Sequence, residues 1–169
     1  METLTNGQNE VRYAGFWLRF VAYLIDDIIM GIAGFLISLP FIGGIIFSAI
    51  GIGDDPESTE NIVKGVTGIL GSVFGLIVVI VIAGWLYFAL MESSKKQATL
   101  GKMALGLRVT DLEGNPISFA RATGRYFGKI ISGMILYIGY ILAGLTEKKQ
   151  ALHDMIAGCL VVRKNEARS

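Results

Sequence analysis

The chain has 169 residues, 53% hydrophobic and 17% charged, with a mean hydropathy of +0.59 and a net charge of +1. Long uncharged runs at that composition indicate a membrane protein rather than a soluble core, and the near-neutral balance argues against a nucleic-acid partner. A single cysteine, Cys159, excludes an intrachain disulfide framework.

In chain order, residues 1–12 form a polar lead-in without the basic leader of a signal peptide, so the first apolar run is expected to serve as its own uncleaved signal. That run, 16–39, is long enough to cross a ~30 Å hydrocarbon core, with Tyr13 and Trp17 suited to the headgroup level where it enters. It carries Arg19, Asp26 and Asp27. A charge near the bilayer centre costs roughly 2.5–3.5 kcal/mol on insertion scales, a cost tolerated where protein, a partner or water surrounds it. Arg19 and Asp26 share a helix face to within about 20°, but about 10 Å of rise and the outward reach of an arginine argue against a direct pair. Tyr23 lies between them on that face, placed to bridge through its hydroxyl. Asp26 sits ~13 Å beyond Trp17, near mid-membrane, and Asp27 points about 100° away toward a different neighbour. Two readings of this constellation stay open: interhelical polar glue, worth about 0.6 kcal/mol on average, and an ion- or proton-binding site.

Pro40 cannot continue a regular hydrogen-bond ladder. Residues 41–53 are apolar but too short to span, and either extend the first helix past a kink or form an interfacial or re-entrant piece. The stretch 54–60, Asp-Asp-Pro-Glu-Ser-Thr-Glu, reads as a solvated acidic loop without the ligand spacing of an EF-hand. A second span follows at 66–91, with Trp85 and Tyr87 as interfacial anchors. Gly68, Gly71 and Gly75 line its first half and allow close approach of the first span or of a second copy.

Residues 92–129 carry Lys95, Lys96, Lys102, Arg108, Arg121, Arg125 and Lys129 against Glu92, Asp111 and Glu113. That excess assigns the segment to the cytoplasm, the acidic loop to the outside and the N-terminus to the inside. Within it, 105–110 and 116–118 are expected to form a hairpin about a Gly114–Asn115 turn, and Ser118 to cap a helix from Phe119 to Lys129. Arg121, Arg125 and Lys129 then form a basic stripe, read first as a membrane anchor touching lipid phosphates and second as an anion or partner contact. The third apolar run, 130–146, is short and flanked by basic residues on both sides. It either crosses or turns back as a re-entrant hairpin, and the second is preferred because 159–163 reads as a strand whose partner would be 105–110. His153-Asp154 reads as a helix cap.

Three segments together resemble the RDD family of small membrane proteins. They are Tyr13-Ala-Gly-Phe-Trp-Leu-Arg-Phe-Val-Ala-Tyr-Leu-Ile-Asp26, Thr99-Leu-Gly-Lys-Met-Ala-Leu-Gly-Leu-Arg-Val109 and Gln150-Ala-Leu-His-Asp-Met-Ile-Ala-Gly-Cys-Leu-Val-Val162. The resemblance covers residues 13–163, leaving 164–169 as a tail, and implies that Arg19, Asp26 and Asp154 are the arginine and two aspartates of the family's name. Asp27 is an addition, and Cys159 stands where a threonine is expected. The resemblance further implies either cation/proton exchange or partnership within membrane complexes. It also suggests a partly buried ion pair between Arg19 and Asp154, with the capping role of Asp154 as the alternative.

The architecture expected is all-α transmembrane: two long spans, a short third span or re-entrant hairpin, and a small cytoplasmic β element. The chain is expected in the cell membrane as a multi-pass protein in contact with lipid. The first functional reading is a cation/proton transporter or antiporter component, with Asp26 binding Na+ or H+ and Tyr23 or Asp27 completing the shell. Three short spans cannot enclose a pathway alone, so this reading requires a homo-oligomer or a larger partner. The alternative is a non-transporting assembly module that docks a partner membrane protein. No enzyme is expected, because Ser93 and Ser94 lack a nearby base and no G-x-S-x-G elbow occurs. No cofactor is expected, and one histidine with one cysteine makes a metal site improbable.

Overall fold

The computed structural model describes residues 12–134 and 138–163. Residues 1–11 of the polar lead-in, the tail at 164–169 and the middle of the third apolar run therefore lie outside the described residues. The chain is mostly helical, with six helices and two strands among the described residues: α1 (Phe16–Asp54), α2 (Thr59–Ser93), α3 (Leu100–Ala104), β1 (Leu107–Asp111), α4 (Phe119–Met134), α5 (Ile138–Leu145), α6 (Leu152–Ala157) and β2 (Cys159–Arg163). It divides into two compact units, one of Met1–Leu24 with Phe88–Ser169 and the other of Ile25–Tyr87.

The unit Ile25–Tyr87 is the two-helix part. α1 has 39 residues and α2 has 35, and both are long and apolar enough to cross a membrane. At 1.5 Å per residue they measure about 58 and 52 Å, well beyond a ~30 Å hydrocarbon core. Of the alternatives for residues 41–53, the extended helix is the one observed: α1 continues through Pro40. Without water to satisfy freed backbone groups, an apolar chain retains its helix through one lost hydrogen bond. The acidic loop shrinks to 55–58, because Asp54 ends α1 and the Ser58 hydroxyl accepts the Asn61 N–H at 3.3 Å to open α2.

The helices approach closely where α2 has no side chain. A Cβ built on Gly65 would lie 2.2 Å from Ile52 Cγ1 and 2.8 Å from the Ser48 carbonyl oxygen. On Gly68 it would lie 2.2 Å from Ser48 Oγ, and on Gly75 2.9 Å from the Phe41 ring. Gly71 makes no such contact with α1, since a Cβ there meets nothing within 4 Å. Gly68 and Gly75 are seven apart and share a face, whereas Gly71 is rotated about 60° from Gly68.

The other unit is built on a two-stranded antiparallel sheet, β1 with β2, in the register Leu107↔Arg163 through Asp111↔Cys159. This is the pairing anticipated for 105–110 and 159–163. The expected hairpin with 116–118 reduces to a single bridge, Thr110↔Pro116. Proline has no N–H to extend the ladder, and the Ser118 hydroxyl already accepts the Arg121 N–H at 3.2 Å to start α4. Residues just before α1 join the far side of β2: Ala14 N–H donates to Val161 O at 2.8 Å and Arg163 N–H to Arg12 O at 2.9 Å.

The third apolar run is described only in part. It contains the end of α4 and the eight-residue α5, neither of which has the length to cross a membrane. α4 packs most closely on α6, the short helix that ends at Gly158 in the left-handed region (φ 59°) and hands the chain directly to β2. A Cβ on Gly128 of α4 would lie 3.2 Å from His153 Cβ, so the two helices touch backbone to backbone there.

Candidate functional site

Polar groups gather in two places, one in each unit. In the two-helix unit, Asp26 is 1% exposed, and its Oδ1 accepts the Tyr87 hydroxyl at 2.7 Å. Tyr87, read from the sequence as an interfacial anchor, therefore works as a partner across the hairpin. Asp27, the next residue, is exposed. Tyr23, expected to bridge Arg19 and Asp26, lies 52% exposed.

The larger constellation is a buried ion network in the sheet-bearing unit. Arg125, at the centre of α4, is 2% exposed. Its Nε and Nη2 both lie 2.7 Å from Asp154 Oδ1, and its Nη1 donates to Glu92 Oε2 at 2.6 Å. Arg19 Nη1 donates to Asp154 Oδ2, its Nε to Ala14 O at 2.8 Å and its Nη2 to Lys149 O at 2.6 Å. Glu92 also receives Lys102 Nζ, and Lys129 Nζ lies 3.6 Å from Glu92 Oε1 and 4.0 Å from the centre of the Phe88 ring. Asp154 meanwhile accepts the Ala151 N–H at 3.1 Å, so the ion pair and the helix cap, posed as alternatives, coexist on one carboxylate. Among the described residues no buried side-chain nitrogen or oxygen is left without a partner.

The basic stripe on α4 thus divides. Arg121 stays at the surface with Asp111 at 3.8 Å, while Arg125 turns inward and cannot anchor lipid phosphates. Glu92, Lys102 and Arg125 were not among the candidate site residues; they counted as charges of the 92–129 segment, with Arg125 placed in the basic stripe. The available signal was a lone glutamate ending a long apolar run, with Arg121, Arg125 and Lys129 spaced every fourth residue further downstream.

Electrostatically, burial pushes the Asp154 carboxyl up, but the Arg125 and Arg19 guanidiniums outweigh it and hold the group well below the usual carboxylate range. Arg125 is raised further, because Glu92 and Asp154 more than offset its burial. Lys102 goes the other way: burial pushes it down to about 7, only partly countered by Glu92. His153, 4% exposed, has its Nδ1 3.4 Å from Ser132 Oγ and its Nε2 3.5 Å from Asp154 Oδ1. Burial pushes it down to about 3, against the pull of Asp154. The Cys159 thiol is pushed up to about 11 by burial, which leaves it a packing residue rather than a nucleophile.

His153 gives a signed pH dependence. Its folded pKa lies below the ordinary 6.5, so as pH falls the unfolded chain binds the proton first and stability drops from pH 6.5 downward. At pH 5 the loss is about 2 kcal/mol relative to neutral pH. Chemical denaturation of the detergent-solubilised protein from pH 7 to 5 is expected to show this slope, and His153→Gln to flatten it. An unchanged slope in the variant would assign the acid sensitivity elsewhere.

Two helices of transmembrane length and a buried network of arginines and carboxylates in a sheet-bearing unit define a small membrane protein. The chain belongs to the RDD family, whose model matches residues 13–158. It is 42% identical over 153 residues to the uncharacterized protein YxaI of Bacillus subtilis strain 168, covering 89% of this chain and 97% of that one. It is 34% identical over 158 residues to the uncharacterized membrane protein YteJ of the same bacterium, covering 90% of this chain and 82% of YteJ. No solved structure matches the chain significantly.

Proposed function

We propose that the protein is a multi-pass assembly module of the cell membrane, its two long helices both crossing and its sheet-bearing unit on the cytoplasmic side. One observation carries this reading: Asp27 lies exposed on an apolar helix, next to Ile28, which is 65% exposed. At about 15 Å past Trp17, a carboxylate facing lipid costs roughly 2.5–3.5 kcal/mol, and cover by another helix removes that cost. Gly31 and Gly34, which share a face with Asp27 at i+4 and i+7, have nothing within 4 Å of a built Cβ, so a second helix has room to approach closely. The cover is a second copy of this chain or a partner membrane protein.

Crosslinking in native membranes is expected to give one dominant higher-mass species containing this chain, lost on Asp27→Leu while the monomer melts unchanged or higher. A chain that runs as a monomer before and after the substitution rejects the reading. Cation/proton transport is the second reading, favoured by the buried Asp26 carboxylate with its Tyr87 hydroxyl, an oxygen pair able to hold a proton or Na+. Proteoliposome flux that disappears in Asp26→Asn supports it. Absence of flux, or flux that survives the substitution, rejects it.

A further inference from the structure

Where α1 begins, a cleft of about 560 Å³ is lined by Arg12, Lys149 and Arg163 together with Tyr13, Phe16 and Trp17. The three cations come from different segments: the residues before α1, the turn after α5 and the end of β2. Among the described residues no carboxylate lines the cleft, and none of the three cations forms an ion pair, unlike the cations of the buried network. We propose that this cleft binds a phosphate-bearing anionic group, supplied by the headgroup of an acidic phospholipid.

The site is built rather than incidental. The Arg12 carbonyl accepts the Arg163 N–H at 2.9 Å, which fixes the two backbones side by side. Lys149 has φ 48°, a left-handed conformation that a lysine adopts only when its surroundings impose it. Two hydrogen bonds hold it there: its N–H donates to Thr146 O at 2.9 Å and its carbonyl accepts Arg19 Nη2 at 2.6 Å. Its side chain then lies over Gly15, with Nζ 3.8 Å from a Cβ built there. Arginine forks match phosphate oxygens and lysine adds a point charge, so the set suits a phosphate group. Three cations also repel the amine of a zwitterionic headgroup, which favours a lipid without one.

The aromatic residues set the depth of the cleft. Trp17 is 73% exposed and packs edge-to-face on Phe16 at 5.4 Å and on Phe20 at 6.1 Å, at the point where the apolar helix starts. Such rings lie at the headgroup level of a bilayer, and basic pockets at that level bind lipid phosphates.

The test uses the full chain, with Trp85→Phe so that Trp17 reports alone, in phosphatidylcholine nanodiscs of rising phosphatidylglycerol content. A saturable change in Trp17 emission is expected, with its midpoint moved at least tenfold by Arg12→Gln, Lys149→Gln and Arg163→Gln combined. The Lys95→Gln/Lys96→Gln pair, which alters exposed charges outside the cleft, is expected to leave the midpoint in place. Should the triple variant fail to fold, Arg12→Gln alone serves, since its side chain makes no hydrogen bond or ion pair among the described residues, with a weaker midpoint expected. A non-saturating response, or the same midpoint in the cleft variants, overturns the site. Inorganic phosphate supplied from water is expected not to compete; full competition would assign the cleft to a soluble phosphate and overturn the lipid source.

Discussion

Arg125→Met is expected to cost the protein about 3–5 kcal/mol of stability, because removing one partner of a buried ion pair leaves charge uncompensated. Here the loss touches two carboxylates at once, Glu92 and Asp154, which are 1% and 0% exposed. Each retains a fallback, Lys102 for Glu92 and Arg19 for Asp154, which limits the penalty to that range. Thermal or chemical unfolding in mild detergent reads it, and a loss under 1 kcal/mol would mean that water enters the network. The variant also carries a pH signature. With Arg125 gone, burial acts on Asp154 less opposed and its pKa rises, so acid destabilisation begins at a higher pH than in the parent. In the parent, the Asp154 contribution is present above pH 3.8 and is lost as pH falls through the lower folded value. A double-mutant cycle between Arg19 and Asp154 is expected to show coupling, whereas additivity would mean the pair contributes nothing to stability.

Gly65→Leu is the second large effect, with an expected loss of about 1–3 kcal/mol from overpacking in the two-helix unit. The obstacle includes the Ser48 backbone oxygen, 2.8 Å from the added Cβ, and backbone cannot rotate aside as a side chain does. Gly68→Ala is expected to be milder, since Ser48 Oγ is free to change rotamer. Gly71→Ala meets nothing and is expected to be neutral or to stabilise by up to about 1 kcal/mol, the ordinary helix gain of alanine over glycine. Denaturation of the three variants side by side tests the ordering. If Gly65→Leu and Gly71→Ala behave alike, the helices do not approach through this face.

Several features could be read from residues alone, and the reasons are physical. Arg19 and Asp26 stand out because charge is expensive in an apolar run, and the pairing of β2 with β1 follows because a lone strand needs a partner. Arg125 and Glu92 were hidden by their context: an arginine among surface cations looks solvated until another element folds over it. Tyr87 was hidden by ambiguity, since a tyrosine near a span end serves equally as an interfacial anchor or as a buried donor. Residues 130–146 left crossing and re-entry both open because hydropathy responds alike to a short span and to short packed helices. The segment 12–14, which adds to β2, is too brief to carry any alternation.

Arg19 and Asp154 meet across a separation of 135 residues, and this has a consequence for biosynthesis. At about 5–20 residues per second, the ribosome takes roughly 7–27 s to deliver the aspartate after the arginine has emerged. Through that interval the leading helix carries its guanidinium without its final counter-ion, and a chain cut short before α6 never acquires one. Delivery of Asp154 is thus the step that closes the Arg19 pair, and a copy that stops before α6 keeps that guanidinium without its carboxylate.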